Sequence, residues 1–397
     1  MRATRRALDI NYAIADILFP ARELEKKGVE VTKLYIGDPN KFDYRTPKVM
    51  RDALCRAAER CDHGYADSEG AMELREAVVE KERRKNRLSI DGEDVYITTG
   101  VTESLQMIMA SLLDPGDEFL LPGPGYPPYD LFIHYFRGKA VPYRTDEDND
   151  WQPDLDDLRA KITSRTRGIS VINPNNPTGT VYSRSTLQEM VDIAGEHDLP
   201  LITDEIYDLM TFEGEHHSPA TMAGDVPVII FNGMSKSFLV PGWRVGYMAF
   251  VDGTGALDQV KDGVLRQLGL RISANHPCQL ASAETLRGPW DFLGELREKL
   301  KRRSDFAHRR LNEIPGISTT RPRAAFYIFP RVEGGPWRSD KEFVLDALEN
   351  AHVLLVPGDG FCSQYGTGHF RSVTLPDEET MGKALDSFED FMRKRVE

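Results

Sequence analysis

The chain has 397 residues, enough for two domains and a large core. Hydrophobic residues make up 40% and charged residues 28%, the balance of an ordinary soluble protein. A net charge of -13 lacks the basic footprint of nucleic-acid binding, so an anionic ligand here depends on locally placed arginines. Cys55, Cys61, Cys278 and Cys362 form no CxxC pair and no metal spacing, which predicts reduced thiols in a cytoplasm and no metal centre. The start MRATRRALD has positive charge without a following apolar stretch, which argues against a signal peptide. No run of 18 apolar residues is present, so no membrane span is expected.

Taken in order, residues 7–27 have helical periodicity with a break near Pro20 and a stop at Gly28. Val31–Ile36 reads as a strand ending in the turn Gly37-Asp38-Pro39. Thr46-Pro47 predicts a helix start, with a capping hydroxyl and proline at the first helical position. The polar, glycine-punctuated loop 63–70 precedes a helix over 71–85 and carries Tyr65, either exposed or packed. From residue 94 strands alternate with helices. Strands are predicted at Asp94–Thr98, Asp117–Leu121, Gly168–Ile172, Leu199–Thr203 and Val226–Phe231, with helices after Gly100 and over 184–196. Such alternation implies an α/β fold with a mostly parallel sheet flanked by helices. Past residue 253 helical sequence runs through 284–313. Short strands follow at Ala325–Phe329, Val353–Val356 and His369–Leu375, and the last helix has Met381, Leu385, Phe388 and Met392 on one stripe. A smaller α+β domain is expected there. The expected division is an N-terminal arm (1–41) packing with that smaller domain, a large domain (42–287) and the small domain (288–397).

The unusual polar clusters all fall just after strand ends, where open α/β sheets bind ligands. Lys236 follows the strand 226–231 in a small-residue and apolar setting, and Arg244 comes eight residues later. A neighbouring arginine disfavours the charged lysine and so improves it as an amine for a Schiff base. The same arginine's planar fork suits a phosphate. Together they suggest an aldehyde that carries a phosphate, which describes pyridoxal 5'-phosphate. Gly100-Val101-Thr102 offers backbone N–H groups at a helix start, an anion site by geometry. Tyr126, between two glycines and two prolines, can stack on a flat ring, and Asn176 lies in a proline-pinned loop able to donate to a ring oxygen. Asp204 is a sheltered carboxylate that needs either a cation or a role as a helix N-cap. A protonated pyridine nitrogen would serve as that cation and make the cofactor an electron sink. Tyr207 would point to the same side. Arg371, in an otherwise apolar strand, needs an anion: a substrate α-carboxylate or a structural acid.

These residues sit in strings that are specific together: Tyr35-Ile-Gly-Asp-Pro39, GYADSEG, GVTES, PGPGYPPY, NPNNPTG, TDEIYD, NGMSKSFLVPGWRVGY and HFRSVTLP. Along essentially its full length the chain resembles the class I aminotransferases of fold type I, and within them the microbial alanine (glutamate–pyruvate) aminotransferases. The resemblance implies pyridoxal 5'-phosphate as cofactor and an alanine:2-oxoglutarate transamination. Aminotransferases for aspartate, aromatic or branched-chain donors, a lyase on the same fold, and a non-catalytic ligand-binding relative are the competing readings. It makes Lys236 the Schiff-base lysine, pairs Asp204 with the pyridine nitrogen, and sets Asn176 and Tyr207 on the ring oxygen. Tyr126 stacks on the ring, and Gly100, Val101, Thr102, Ser235 and Arg244 hold the phosphate. Tyr65 reaches the phosphate of a neighbouring subunit, which implies a homodimer with shared sites. Gly37, Asn176 and Arg371 receive the substrate carboxylate, with Tyr12 on the substrate side. Two positions depart from the pattern. Gly233 replaces a hydroxyl found three residues before the lysine in many relatives, and Ala15 replaces an arm arginine that would greet a second carboxylate. Arg271 is then the best remaining candidate cation for glutamate, with an ordinary interface or core-edge arginine as the equal alternative.

Overall fold

The computed structural model describes residues 3–8, 10, 13–61 and 63–396. Its centre is an eight-stranded sheet in the order Val95–Thr98, Gly246–Val251, Val228–Gly233, Leu201–Asp204, Thr166–Ile172, Glu118–Gly123, Lys139–Asp146, Gln152–Pro153. The four pairings from 228–233 across to 139–146 are parallel. The strand 246–251 runs antiparallel between 95–98 and 228–233. Strand alternation sends successive side chains to opposite faces. Ile229 and Phe231 therefore join Phe119, Leu121 and Ile202 on one face, beneath the helices Val101–Leu112, Pro128–Tyr135 and Asp258–Arg271. Val228 and Ile230 join Leu120, Val171 and Leu201 on the other, beneath Met72–Asn86 and Arg184–Glu196. Both faces are covered, as a parallel sheet requires. From 118–123 the chain steps outward to 139–146 and then returns to 166–172 on the other side of 118–123. A crevice at such a reversal is where α/β sheets hold ligands.

Beyond residue 288 a three-stranded antiparallel sheet orders Tyr327–Ile328, Phe370–Val373 and Val356–Pro357, with the helices Phe292–Asn312, Asp340–Ala351 and Glu378–Val396 packed beside it. Met381, Leu385, Phe388 and Met392 are buried along one stripe of the last helix. The short strand Thr32–Lys33 pairs parallel with Val353–Leu354, which joins the N-terminal segment to the C-terminal elements.

Several local expectations differ from the structure. The helix Ala13–Lys26 runs through Pro20 without stopping. One lost N–H is outweighed there by burying Ile17 and Ala21 on either side. Thr46 does not cap its helix: its hydroxyl donates to the Leu239 carbonyl, 2.9 Å away, and Pro47 is the cap residue. The strands expected over 31–36 and 325–329 shrink to two residues each, and 353–356 divides between two sheets. Lys139–Asp146 and Gly246–Val251 are strands that the sequence reading did not anticipate.

Candidate functional site

A cavity of about 450 Å³ opens at the carboxyl ends of the central strands. Its walls bring together Gly37, Val101, Thr102, Tyr126, Asn176, Asp204, Tyr207, Ser235, Lys236, Arg244 and Arg371, residues that lie far apart in the sequence. Tyr65 is not on its walls. That side chain is 83% exposed in the single chain, so it is not a packed tyrosine. Tyr12 lies outside the described residues.

Lys236 follows the strand 228–233, and its Nζ donates to the Gly37 carbonyl at 2.8 Å. Burial pushes its ammonium down to about 8, and Arg371 and Arg244 push the same way. The sequence argument credited the arginine; desolvation is the larger cause. Asp204 ends the strand 201–204 and is 3% exposed. It is not a helix N-cap: one carboxylate oxygen accepts from the Ile206 N–H at 3.2 Å and the other from the Tyr129 hydroxyl at 3.3 Å. Neither partner carries charge, and burial raises this carboxyl to about 6. Tyr129 is a site neighbour that sequence reasoning passed over, although it closes the same PGPGYPPY string.

At the start of the helix 101–112, Gly100 adopts φ +96°, a conformation that side-chain-bearing residues rarely take. A Cβ there would lie 2.7 Å from Arg244 Nη2, and one on Gly246 would lie 2.6 Å from the Gly100 Cα. The two glycines let the backbones touch, so that the helix start and the Arg244 guanidinium face one niche. Arg371, on the strand 370–373, is 4% exposed. Its Nη1 donates to the Asn176 side-chain oxygen at 3.1 Å and its Nη2 to the Tyr35 carbonyl at 2.7 Å. Its Nε is buried without a hydrogen-bond partner. The partners are neutral oxygens, so the expected alternative of a structural ion pair does not hold.

Of the two readings open for Arg271, the structure favours the ordinary core-edge arginine. It does not line the cavity. Its Nη2 donates to the Ser68 and Ile97 carbonyls at 2.7 and 3.1 Å, and its Nη1 lies 3.4 Å from Glu103. It fastens the loop 63–70 to the sheet edge and is not placed to meet a substrate carboxylate.

Behind the site lies an ionic cluster that the sequence did not disclose. Lys81 Nζ contacts Glu82 at 2.8 Å, Asp208 at 2.7 Å and the Tyr247 hydroxyl at 3.1 Å, all buried. Asp208 and Glu205 belong to the same TDEIYD turn as Asp204 and Tyr207, but pair away from the cavity with Lys81 and Ser218.

The cavity thus offers a low-pKa amine, a buried carboxylate without a cation, and an anion niche at a helix start. An aldehyde, a protonated pyridine and a phosphate meet these three needs, so the residues present fit pyridoxal 5'-phosphate. Fold and site together define a pyridoxal-phosphate enzyme of fold type I.

Comparison with known proteins narrows this to a family. The family described as "Aminotransferase class I and II" matches residues 29–388, and the chain belongs to it. It is a pyridoxal-phosphate-dependent aminotransferase, acting on amino acids and 2-oxo acids. The chain is 39% identical over 382 residues to the glutamate-pyruvate aminotransferase AlaA of Escherichia coli K12, covering 95% of this chain and 94% of that one. It is 56% identical to an alanine aminotransferase structure from Pyrococcus furiosus, with a TM-score of 0.98, covering 99% of this chain and 100% of that one. An aspartate/prephenate aminotransferase of Thermus thermophilus is 33% identical, over 93% of this chain and 92% of that one.

Proposed function

We propose that the enzyme transfers the amino group of L-alanine to 2-oxoglutarate, giving pyruvate and glutamate. The observation that carries the alanine half is Arg371, a buried guanidinium with neutral hydrogen-bond partners, in a cavity that also has apolar walls at Leu18, Ile36 and Ile206. It answers one carboxylate and leaves a small apolar space beside it. The 2-oxoglutarate half is supported by the relatives named glutamate-pyruvate aminotransferase.

In this reading Lys236 holds the cofactor's aldehyde carbon and Asp204 keeps the ring nitrogen protonated. Tyr207 and Asn176 hydrogen-bond the ring oxygen, and Tyr126 covers the ring. Gly100, Val101, Thr102, Ser235 and Arg244 hold the phosphate, and Gly233 adds no hydroxyl there. Pyridoxal 5'-phosphate, when bound, supplies the aldehyde that receives the amino group and a ring that takes up the electron pair left at the substrate's Cα. Arg371, with Asn176 and the Gly37 backbone, grips the α-carboxylate. Lys236 Nζ, freed by the substrate's amine, would be the base placed to take the Cα proton; a pKa near 8 leaves a minority of it neutral at pH 7.5, far more than an unshifted lysine would have.

We infer further that two copies share their sites across a two-fold interface, with Tyr65 of the partner subunit reaching the phosphate. Tyr65 and Leu270 are 83% and 86% exposed, and the loop that carries Tyr65 is tied to the segment just after the helix of Leu270 by Ala66 N–H to Ser273 Oγ at 3.1 Å. Directly after that helix Ile272 takes φ +76°, a strained value for a β-branched residue. The arm (1–41), large domain (42–287) and small domain (288–397) remain our division of the chain; the pairing of Thr32–Lys33 with Val353–Leu354 supports it. A cytoplasmic location is supported by four unpaired cysteines, two of them exposed. The deciding experiment is a panel of amino donors against pyruvate and 2-oxoglutarate. Alanine should lead with 2-oxoglutarate as acceptor, and aspartate or an aromatic donor exceeding it tenfold in kcat/KM would overturn the assignment.

A further inference from the structure

Tyr327 stands where three parts of the proposed site meet. Its hydroxyl lies 3.0 Å from that of Tyr207, and both phenols are buried. A Cβ on Gly37 would fall 2.1 Å from the same hydroxyl oxygen, so the missing side chain at Gly37 is what lets Tyr327 reach Tyr207. The Arg371 guanidinium carbon sits 4.6 Å from the Tyr327 ring centroid, within cation–π range. The approach to Tyr327 is fastened. The Arg323 and Ala324 N–H groups donate to the Gly179 carbonyl at 2.9 and 3.0 Å, and the Ala325 N–H donates to Met210 at 3.3 Å. Ala325 is held at φ +60°. Segment 323–327 is therefore fastened between the loop that carries Asn176 and the turn that carries Tyr207.

We propose that Tyr327 is a positioning residue that tunes Tyr207 by donating its hydroxyl proton to the Tyr207 oxygen. A phenol has one proton and can also accept. If Tyr207 donated to Tyr327, it would have nothing left for the cavity. With Tyr327 as donor, the Tyr207 proton turns to the cavity, and the two bonds in series polarise each other in one direction. This rests on the reading of Tyr207 as donor to the cofactor's ring oxygen. A ring oxygen that receives a weaker hydrogen bond keeps more negative charge and holds the adjacent proton on the Lys236 nitrogen to higher pH.

The test is a pH titration of the cofactor's visible absorbance in the holoenzyme, which requires no substrate. Tyr327→Phe should raise the midpoint by roughly 0.3–1 pH unit, the scale of one modest hydrogen bond. Gly37→Ala, which drives the Tyr327 hydroxyl away without altering either phenol, should move it the same way and keeps the test open if Tyr327→Phe does not fold. Tyr207→Phe should raise the midpoint too, and adding Tyr327→Phe to it should produce no further change. Propionate affinity should be kept in Tyr327→Phe, whose ring remains under Arg371, and fall in Tyr327→Leu. A midpoint that responds to Tyr207→Phe but not to Tyr327→Phe, or an equal shift from Tyr327→Phe with Tyr207 already removed, overturns this inference alone. A midpoint indifferent to Tyr207→Phe overturns the assignment of Tyr207 as well.

Discussion

Replacing Asp204 by asparagine should make the cofactor-free protein more stable while weakening its hold on the cofactor. Burial lifts the Asp204 carboxyl from 3.8 to about 6. Between those values the folded carboxyl keeps a proton that the unfolded chain has released, so stability falls as pH rises through the window. The full penalty is about 3 kcal/mol at pH 7.5, from a shift of about two units at 1.36 kcal/mol each, and shrinks to about 1 kcal/mol at pH 4.5. Asparagine carries no charge to desolvate. Its oxygen can still accept from the Ile206 N–H, and its amide can donate to the Tyr129 hydroxyl, so no local hydrogen bond is orphaned. Urea unfolding of cofactor-stripped wild type and Asp204→Asn, at one protein concentration and at both pH values, reads the difference directly. The variant should gain 2–3 kcal/mol at pH 7.5, about a third of that at pH 4.5, and should gain less than wild type from added pyridoxal 5'-phosphate. A variant no more stable than wild type at pH 7.5, with a difference independent of pH, would refute the reasoning.

Three other outcomes follow from the same geometry. With a pKa near 8, about a quarter of Lys236 is neutral at pH 7.5, against about one part in a thousand for an unshifted lysine. Borohydride trapping of pyridoxal 5'-phosphate on the stripped protein should therefore plateau with a midpoint near 8, and a midpoint near 10.5 would show that the cavity does not desolvate the amine. Lys81→Met should destabilise the fold by roughly 3–5 kcal/mol in thermal or urea unfolding, because Glu82 and Asp208 are left buried with their central cation gone. Tyr65→Phe should weaken cofactor affinity about tenfold, the scale of one charge-assisted hydrogen bond, with the dimer intact by sedimentation; full activity in a diluted monomer would rule out the shared site.

Much of this architecture was legible because apolar runs of strand length end abruptly in polar strings. Val226–Phe231 before the Lys236 string and Gly168–Ile172 before NPNNPTG are examples, and the sheet does bring those string residues to one cavity. Lys139–Asp146 was hidden by its own position: near the sheet edge, it carries Pro142 and alternates only partly buried side chains. Gly246–Val251 was absorbed into the long motif that precedes it. Lys81 and Glu82 lie in KERRKN, which reads as a solvated helix face. What buries them is Asp208, 127 residues on, and Tyr247, 166 residues on, which no local period encodes. The hydroxyls of Tyr129 and Tyr327 were invisible for the same reason, since a strand or loop pattern says which way a ring faces but not what its far end meets. Arg271 shows the same limit from the other side: its sequence left a substrate cation and a core-edge arginine equally open, and the backbone carbonyls of two other segments decide for the second.

The contrast between two buried pairs shows how this fold separates structural from functional charge. Asp204 and Asp208 lie four residues apart in one turn, both desolvated. Lys81 and the nearby Lys85 hold Asp208 well below the usual carboxylate range, overcoming its burial, whereas Asp204 accepts from a phenol and an N–H, with Lys236 acting on it only through space, and burial still takes it up to about 6. The lysines divide in the same way. Asp208 and Glu82 lift Lys81 despite its burial, while burial wins at Lys236 and takes it down to about 8. Desolvation penalises all four, so the sign of each shift depends on whether the chain's compensating charges outweigh it. On one side of the TDEIYD turn the chain supplies its own counter-ions, and the cluster is complete. On the other, Asp38 and Asp204 only partly offset the burial of Lys236, and Lys236 only partly that of Asp204, and a cofactor with a cationic ring nitrogen and an electrophilic carbon is what makes that half electrostatically whole.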